Sequence, residues 1–259
     1  MNGKYTNKKQ EKTRRLILAA VILCLIAVCA AVGWLLTELQ PLPDTGAKPP
    51  VTTRETTAAA NTNPVRLDEV KEVSLNLGSG MRITDVGSYT GVYMEDGSDE
   101  IVSGVLMIAV TNEGEDAVRY AEISMPVGDT TARFTLSTLP ANGTVVLLEQ
   151  NRLEYVPGTY TSAVAENVVL FDAPLDLCED QLKIQILDGA INITNISGGD
   201  ISGDIVIYYK NSAQDVYYGG ITYRVRLEGG LKADEIKQIV ASHFSASGST
   251  IMFVTCGEG

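Results

Sequence analysis

Between Leu16 and Leu36 the chain runs for 21 residues, LILAAVILCLIAVCAAVGWLL, with no charge, no proline and one glycine. A helix of that length rises about 31 Å, against a hydrocarbon core of about 30 Å. No other feature constrains the chain as strongly. It predicts a transmembrane helix over 16–37, and it splits the remainder into two parts of opposite charge. Before it lie Lys4, Lys8, Lys9, Lys12, Arg14 and Arg15, against Glu11 alone. The net charge of the chain is −12, so the surplus of five in this tail leaves −17 for the rest. A basic flank stays on the cytoplasmic side. The tail 1–15 is therefore expected inside and everything after the run outside, in a single-pass arrangement. So acidic an outer part would repel phosphates, which argues against a nucleic-acid partner.

The run has two other readings. Small residues behind a basic n-region also mark a cleavable signal peptide. Cys29 would be the modified residue of a lipoprotein signal, although Val28 stands where Gly, Ala or Ser usually does. The run's length exceeds a typical signal h-region, and Trp34 sits where an interfacial aromatic belongs. Both points favour an uncleaved signal-anchor. Ala27/Ala31 and Cys29/Gly33 place small residues at helical spacing, a pattern that supports helix pairing.

Residues 38–65 are rich in Pro, Thr and Ala and read as a flexible linker. Within them, Leu42-Pro43-Asp44-Thr45-Gly46 matches the LPxTG sorting string of Gram-positive surface proteins. There the string precedes a hydrophobic segment and a basic tail. Here both come before it, so cleavage after Thr45 would release the large domain instead of attaching it.

From Val70 the texture changes to short apolar or alternating runs punctuated by Gly, Asn, Asp and Pro. They read as antiparallel strands of an all-β body. One series occupies 66–150 and a second 180–259; 151–179 reads as a bridge with one extra strand at VVLF. The series look like copies, better explained by two duplicated modules than by one fused sheet. Gly104–Asp116 lines up on Gly203–Asp215, 117–123 on 216–221, and 137–149 on 242–254. The segment ADEIKQIVASHF (233–244) carries helical spacing at Ile236, Ile239, Val240 and Phe244, but the alignment makes strand the expectation.

The turns at Val110-Thr111-Asn112, Tyr209-Lys210-Asn211 and Leu139-Pro140-Ala141-Asn142-Gly143 give the chain a resemblance to FxLYD-like modules. It extends to related immunoglobulin-like, fibronectin-type modules of bacterial envelope proteins. The F-x-L-Y-D string itself is not present. The resemblance implies two tandem immunoglobulin-like antiparallel β-sandwiches. It also implies an extracytoplasmic binding or spacer role at the cell envelope, not an enzyme.

Residues that carry chemistry are few. His243 is the only histidine, and no G-x-S-x-G elbow accompanies it. No catalytic residue and no cofactor are expected. Glu95, Asp96, Asp99 and Glu100 crowd one turn and form a candidate cation site, or simply a solvated acidic hairpin. Cys178 and Cys256 flank the second module. With six strands in that module they would lie at the same end and form a disulfide; with seven they would lie apart. Tyr208, Tyr209, Tyr217, Tyr218 and Tyr223 form a candidate binding surface, with about half of them expected in the core by alternation. Asn142, Asn192 and Asn195 open N-x-[ST] sequons.

Three functional readings follow. The first is a non-enzymatic protein held to the membrane by Leu16–Leu36 that presents its modules to a protein or glycan partner. The second is an accessory subunit of a membrane-embedded secretion or envelope-maintenance complex. The third is a hydrolase working through paired carboxylates.

Overall fold

The computed structural model describes residues 65–258. The tail 1–15, the run Leu16–Leu36 with Cys24 and Cys29, and the linker through residue 64 with Leu42–Gly46 lie outside them. Among the described residues no helix is long and apolar enough to cross a membrane.

The described part is all-β. Its strands are β1 (Arg66–Gly78), β2 (Met81–Val92), β3 (Ile101–Asn112), β4 (Val118–Val127), β5 (Thr130–Leu139), β6 (Thr144–Leu148), β7 (Val164–Leu170), β8 (Leu182–Leu187), β9 (Ala190–Asn195), β10 (Asp204–Ala213), β11 (Val216–Leu227), β12 (Ile236–Val240) and β13 (Ser249–Glu258). Period-2 alternation sets their faces. In β5, for example, Ala132, Phe134 and Leu136 are buried while Arg133 is exposed.

A seven-stranded sheet runs β1-β2-β3-β6-β11-β10-β13, and two three-stranded sheets run β5-β4-β7 and β12-β9-β8. One apolar core joins Ile108, Val110 and Leu147 of the large sheet to Ile123, Phe134 and Leu136 of the β5-β4-β7 sheet. A second joins Ile205, Ile207 and Val254 to Ile191 and Ile193 of the β12-β9-β8 sheet. A third cluster, built on Tyr89, Met107, Val146 and Leu148 of β2, β3 and β6 with Tyr93 just past β2, lies opposite the first core.

The pairing repeats. β2 pairs with β3, β3 with β6, β4 with β5 and β4 with β7, all antiparallel. In the same way β8 pairs with β9, β9 with β12, β10 with β11 and β10 with β13. Strands β2–β7 therefore correspond one to one with β8–β13, and β1 is an addition to the first copy. One buried asparagine in each copy fixes the register. Asn112 Nδ2 lies within 2.9–3.3 Å of the carbonyls of Asp116, Leu139 and Pro140, and its Oδ1 accepts from Gly114 N at 3.0 Å. Asn195 Nδ2 lies within 2.7–3.1 Å of the carbonyls of Gly199, Leu231 and Lys232, and its Oδ1 accepts from Ser197 N at 3.0 Å. The backbone bonds Asn112 N→Gly143 O and Gly143 N→Pro140 O recur as Asn195 N→Glu235 O and Glu235 N→Lys232 O. Both turns carry a left-handed residue at the same place, Asn142 (φ 60°) and Asp234 (φ 59°).

This register corrects the sequence alignment by a whole strand. Asn112 corresponds to Asn195, not Asn211, and β3 to β9, not β10. A core strand opening on Gly and ending on Asn is a generic pattern that several strands satisfy. Asn211 spends its amide on Met94 Sδ instead of closing a turn. The structure also fuses what the sequence kept apart. Edge strand β6 of the first copy pairs in parallel with edge strand β11 of the second, through Val216↔Thr144, Tyr217↔Val145 and Tyr218↔Val146. The segment 151–179 supplies β7, which pairs with β4 and so completes a sheet of the first copy.

In 233–244 only Ile236–Val240 is strand. The chain then turns, with Phe244 N bonded to Ala241 O, and drops Phe244 into the second core. The apparent helical spacing arises because Ile239 and Phe244 pack inward while Ile236 and Val240 face out.

Candidate functional site

The densest polar chemistry lies where the two copies meet, and it begins with a bulge. Along β10 and β11 the register jumps from Asn211↔Tyr218 to Tyr209↔Tyr223, so Lys210 alone stands opposite residues 219–222. A bulge of that size orphans backbone groups, and buried peptide groups must find partners. Lys210, itself fully buried, donates from Nζ to the carbonyls of Gly219 and Ile221, each at 2.8 Å. On the other side of the same strand, Gly220 N donates to Glu95 Oε2 at 2.7 Å. Glu95 Oε1 accepts from Leu148 N, at the end of β6, at 2.8 Å. One carboxylate thus binds the last amide of β6 to the bulge of β11.

Two glycines make the crossing feasible. A β-carbon at Gly220 would collide with the Thr135 carbonyl of β5. At Gly219, with φ +84°, it would come within 2.8 Å of the Met94 carbonyl. Ser137 Oγ then donates to Gly220 O at 2.6 Å, and Thr222 Oγ1 to Ser137 O at 3.1 Å. The edge of β5 is therefore covered by β11. Burial pushes the Glu95 carboxyl above its ordinary value, against the pull of the two amides and of Lys210. Burial likewise pushes the Lys210 amine down, with Glu95 opposing.

Beside Glu95 opens a cleft of about 560 Å³, walled by Tyr93, Asp96, Thr135, Gln150, Asn151 and Arg152. The Arg152 guanidinium lies over the Tyr93 ring, 4.5 Å from its centroid. It is paired with Asp96 at 3.2 Å and Glu100 at 2.6 Å. Gln150 Nε2 donates to Thr135 Oγ1. The Tyr93 hydroxyl shares its one proton between the carbonyls of Glu149 and Gln150, at 3.0 and 2.9 Å. Beneath the rim, buried Glu149 holds the 149–153 loop by accepting from the amides of Arg133, Asn151 and Leu153, at 2.7–3.1 Å. The wall offers an aromatic plane, a guanidinium and amide donors and acceptors. Such a surface can hydrogen-bond a polar ligand; the geometry assembles no nucleophile with a base there.

The four acidic residues of the 95–100 turn go separate ways. Glu95 turns inward, Asp96 and Glu100 pair with Arg152, and Asp99 faces His243 Nδ1 at 3.7 Å. Among the described residues no three His, Cys, Asp or Glu side chains converge on a point where an ion would sit. The bonds from Ser98, followed by Arg152, hold the Asp96 carboxyl below its usual range.

The tyrosines do not form one surface either. Tyr209 is buried in the second core, stacked on Tyr223 and edge-on to Phe244. Tyr223 also stacks on His243, at 5.2 Å. Tyr217 and Tyr218, on opposite faces of β11, pack into the first core and the third cluster. Tyr208 stacks on Phe253 at 4.1 Å, and Phe253 meets Phe171 edge-on.

Cys178 and Cys256 are free thiols brought to the same end of the second copy. Cys178 Sγ donates to Val254 O at 3.5 Å, and Cys256 follows two residues later on the same face of β13. Burial raises both thiols, Cys256 to about 12. Of the sequon asparagines, Asn192 is half-buried on β9 and donates to Gln185 Oε1, Asn142 sits in its turn, and the Asn195 amide is consumed inside the fold.

Sequence reasoning missed Lys210, Glu149 and the paired asparagines as organising residues. For the asparagines a signal was present. Val110-Thr111-Asn112 recurs as Ile193-Thr194-Asn195, and Leu139-Pro140-Ala141-Asn142-Gly143 as Leu231-Lys232-Ala233-Asp234-Glu235.

No protein-family model, no curated protein and no solved structure matches this chain.

Proposed function

We propose that the chain is a non-enzymatic single-pass membrane protein. In this reading it holds two immunoglobulin-like modules outside the cell membrane, its N-terminus in the cytoplasm, for binding or spacing a protein or glycan partner at the cell envelope. The observation that carries this reading is the junction. Glu95, Ser137 and Thr222 tie the copies through backbone bonds at the Gly219–Gly220 crossing, and Lys210 braces the bulge that shapes it, which suits a body that presents its surfaces at a fixed angle. The charge split around Leu16–Leu36 supports the topology. The cleft walled by Tyr93 and Arg152 is the favoured contact region. A protease added to intact cells should remove a C-terminal tag and leave an N-terminal tag untouched; the reverse pattern would overturn the proposal.

The small-residue spacing at Ala27/Ala31 and Cys29/Gly33 favours a second reading, an accessory subunit whose spanning helix makes specific contacts in a membrane complex. Replacing residues 16–36 with an unrelated apolar segment separates the two. Retained function removes the accessory-subunit reading. Lost function with normal surface display removes simple presentation.

A further inference from the structure

The duplication says what an edge strand of this fold is for. In the first copy, β6 is the edge, and β11 lies along it in parallel. Val146 and Leu148, on its face away from the first core, are buried with Val216 and Tyr218 of the added strand packed against their cluster. In the second copy the same edge is β12. The registers equate Thr144 with Ile236, Val146 with Gln238 and Leu148 with Val240. Nothing in the described residues pairs with the far side of β12. Ile236 is 66% exposed and Val240 77%, the two most exposed large apolar side chains in the described body. An apolar strand with unpaired backbone groups is a template for a further strand.

The sequence of β12 points to the occupant. Ile236 and Val240 stand symmetrically about Gln238 on one face, and Lys237 and Ile239 alternate on the other. In an antiparallel two-fold pair centred on Gln238, Ile236 lies across from Val240 of the second copy and Lys237 across from Ile239. Like charges do not face each other, and apolar side chains meet in two cross-strand pairs. Two of the other edges, β5 and β13, are less suited to supply the strand. β5 is covered by β11, and β13 is bonded at Val254 N to Asp176 O. Lys237 Nζ, which would otherwise blunt the edge, is bonded to Gly230 O at 3.1 Å and lies 3.7 Å from Glu235.

We propose that β12 is a self-association edge, pairing with β12 of a second copy to join two β12-β9-β8 sheets into one six-stranded sheet. The proposal does not depend on the membrane reading. The test uses the full chain in detergent. Sedimentation should show a reversible monomer–dimer equilibrium that strengthens with added salt, because the strongly acidic bodies repel one another. I236K/V240K, both changes at exposed positions, should weaken it at least about tenfold while the circular dichroism spectrum stays unchanged. Oxidative cross-linking of Q238C should give a dimer band that the unsubstituted chain, with its four native cysteines, does not give. A chain that is monomeric throughout, or a dimer indifferent to I236K/V240K, would overturn the proposal. So would a dimer that Q238C fails to trap.

Discussion

Two asparagines show how single side chains define this fold. Asn112 and Asn195 each close a turn and hold the chain two strands away, using both ends of the amide. Truncating either leaves buried carbonyls without a donor, at about 1–3 kcal/mol for the unsatisfied groups. N112A and N195A should each lower the urea midpoint by a stability equivalent to about 2–3 kcal/mol. N211A, which loses contacts to Met94 Sδ and the Tyr223 hydroxyl but closes no turn, should cost less than either, about 1 kcal/mol. Equal losses at Asn211 and Asn195 would restore the sequence alignment that the structure displaced.

Glu95 and Lys210 make a pH-dependent prediction. K210M takes the buried donor from the carbonyls of Gly219 and Ile221 and should cost about 1–3 kcal/mol for the unsatisfied groups. The sign of each titration follows from burial. The folded state holds the Glu95 proton more tightly than the unfolded chain does. That contribution is therefore full below the ordinary carboxylate value and fades as pH rises through the raised one. The folded state sheds the Lys210 proton early, so stability is gained as pH rises from the lowered value toward that of free lysine. The stability of the wild type minus that of E95Q/K210M should fall through the weakly acidic range and climb again in the alkaline range. Denaturant titrations across both ranges would measure it, and a flat difference would contradict the burial of the pair.

At the scale of elements, strand runs were legible because period-2 alternation and Gly/Asn/Asp punctuation are local. Partners were not. β6 and β11 read as ordinary apolar strands, and nothing local says that one will lie beside the other. Lys210 looked like a turn residue of the Tyr209-Lys210-Asn211 string. Its burial follows only from a bulge four residues wide on the neighbouring strand. The acidic turn and the tyrosine cluster were found as sequence neighbours, but sequence proximity does not fix direction. Glu95 and Asp96 diverge, and Tyr217 and Tyr218 face opposite sides of one strand. The cysteines followed topology better, since six strands in the second copy bring Cys178 and Cys256 to one end. Treating the full chain with oxidised glutathione should exchange those two thiols into a disulfide, releasing two reduced glutathiones. The peptides holding Cys178 and Cys256 should then appear joined by mass spectrometry and lighter by two hydrogens. Closing 78 residues of chain should raise stability by up to about 4 kcal/mol, an effect that C256S abolishes. Separate, unlinked peptides after full oxidation would refute the pairing.

The whole molecule depends on how the copies are joined. Three parallel residue pairs are too short a ladder to unite two bodies by themselves. Tyr217 and Tyr218 anchor them apolarly, and Glu95, Ser137 and Thr222 anchor them through the backbone. G220A should break this joint, because the Thr135 carbonyl cannot move without unzipping β5 from β4. Hydrogen exchange on the full chain tests the joint most directly, since it reports each copy separately. In the wild type, the slowest amides of β3 and β4 should open with the same free energy as those of β9 and β10. In G220A the two sets should separate. Wild-type β9 and β10 opening several kcal/mol more easily than β3 and β4 would show two independent modules on a string and contradict the fused body.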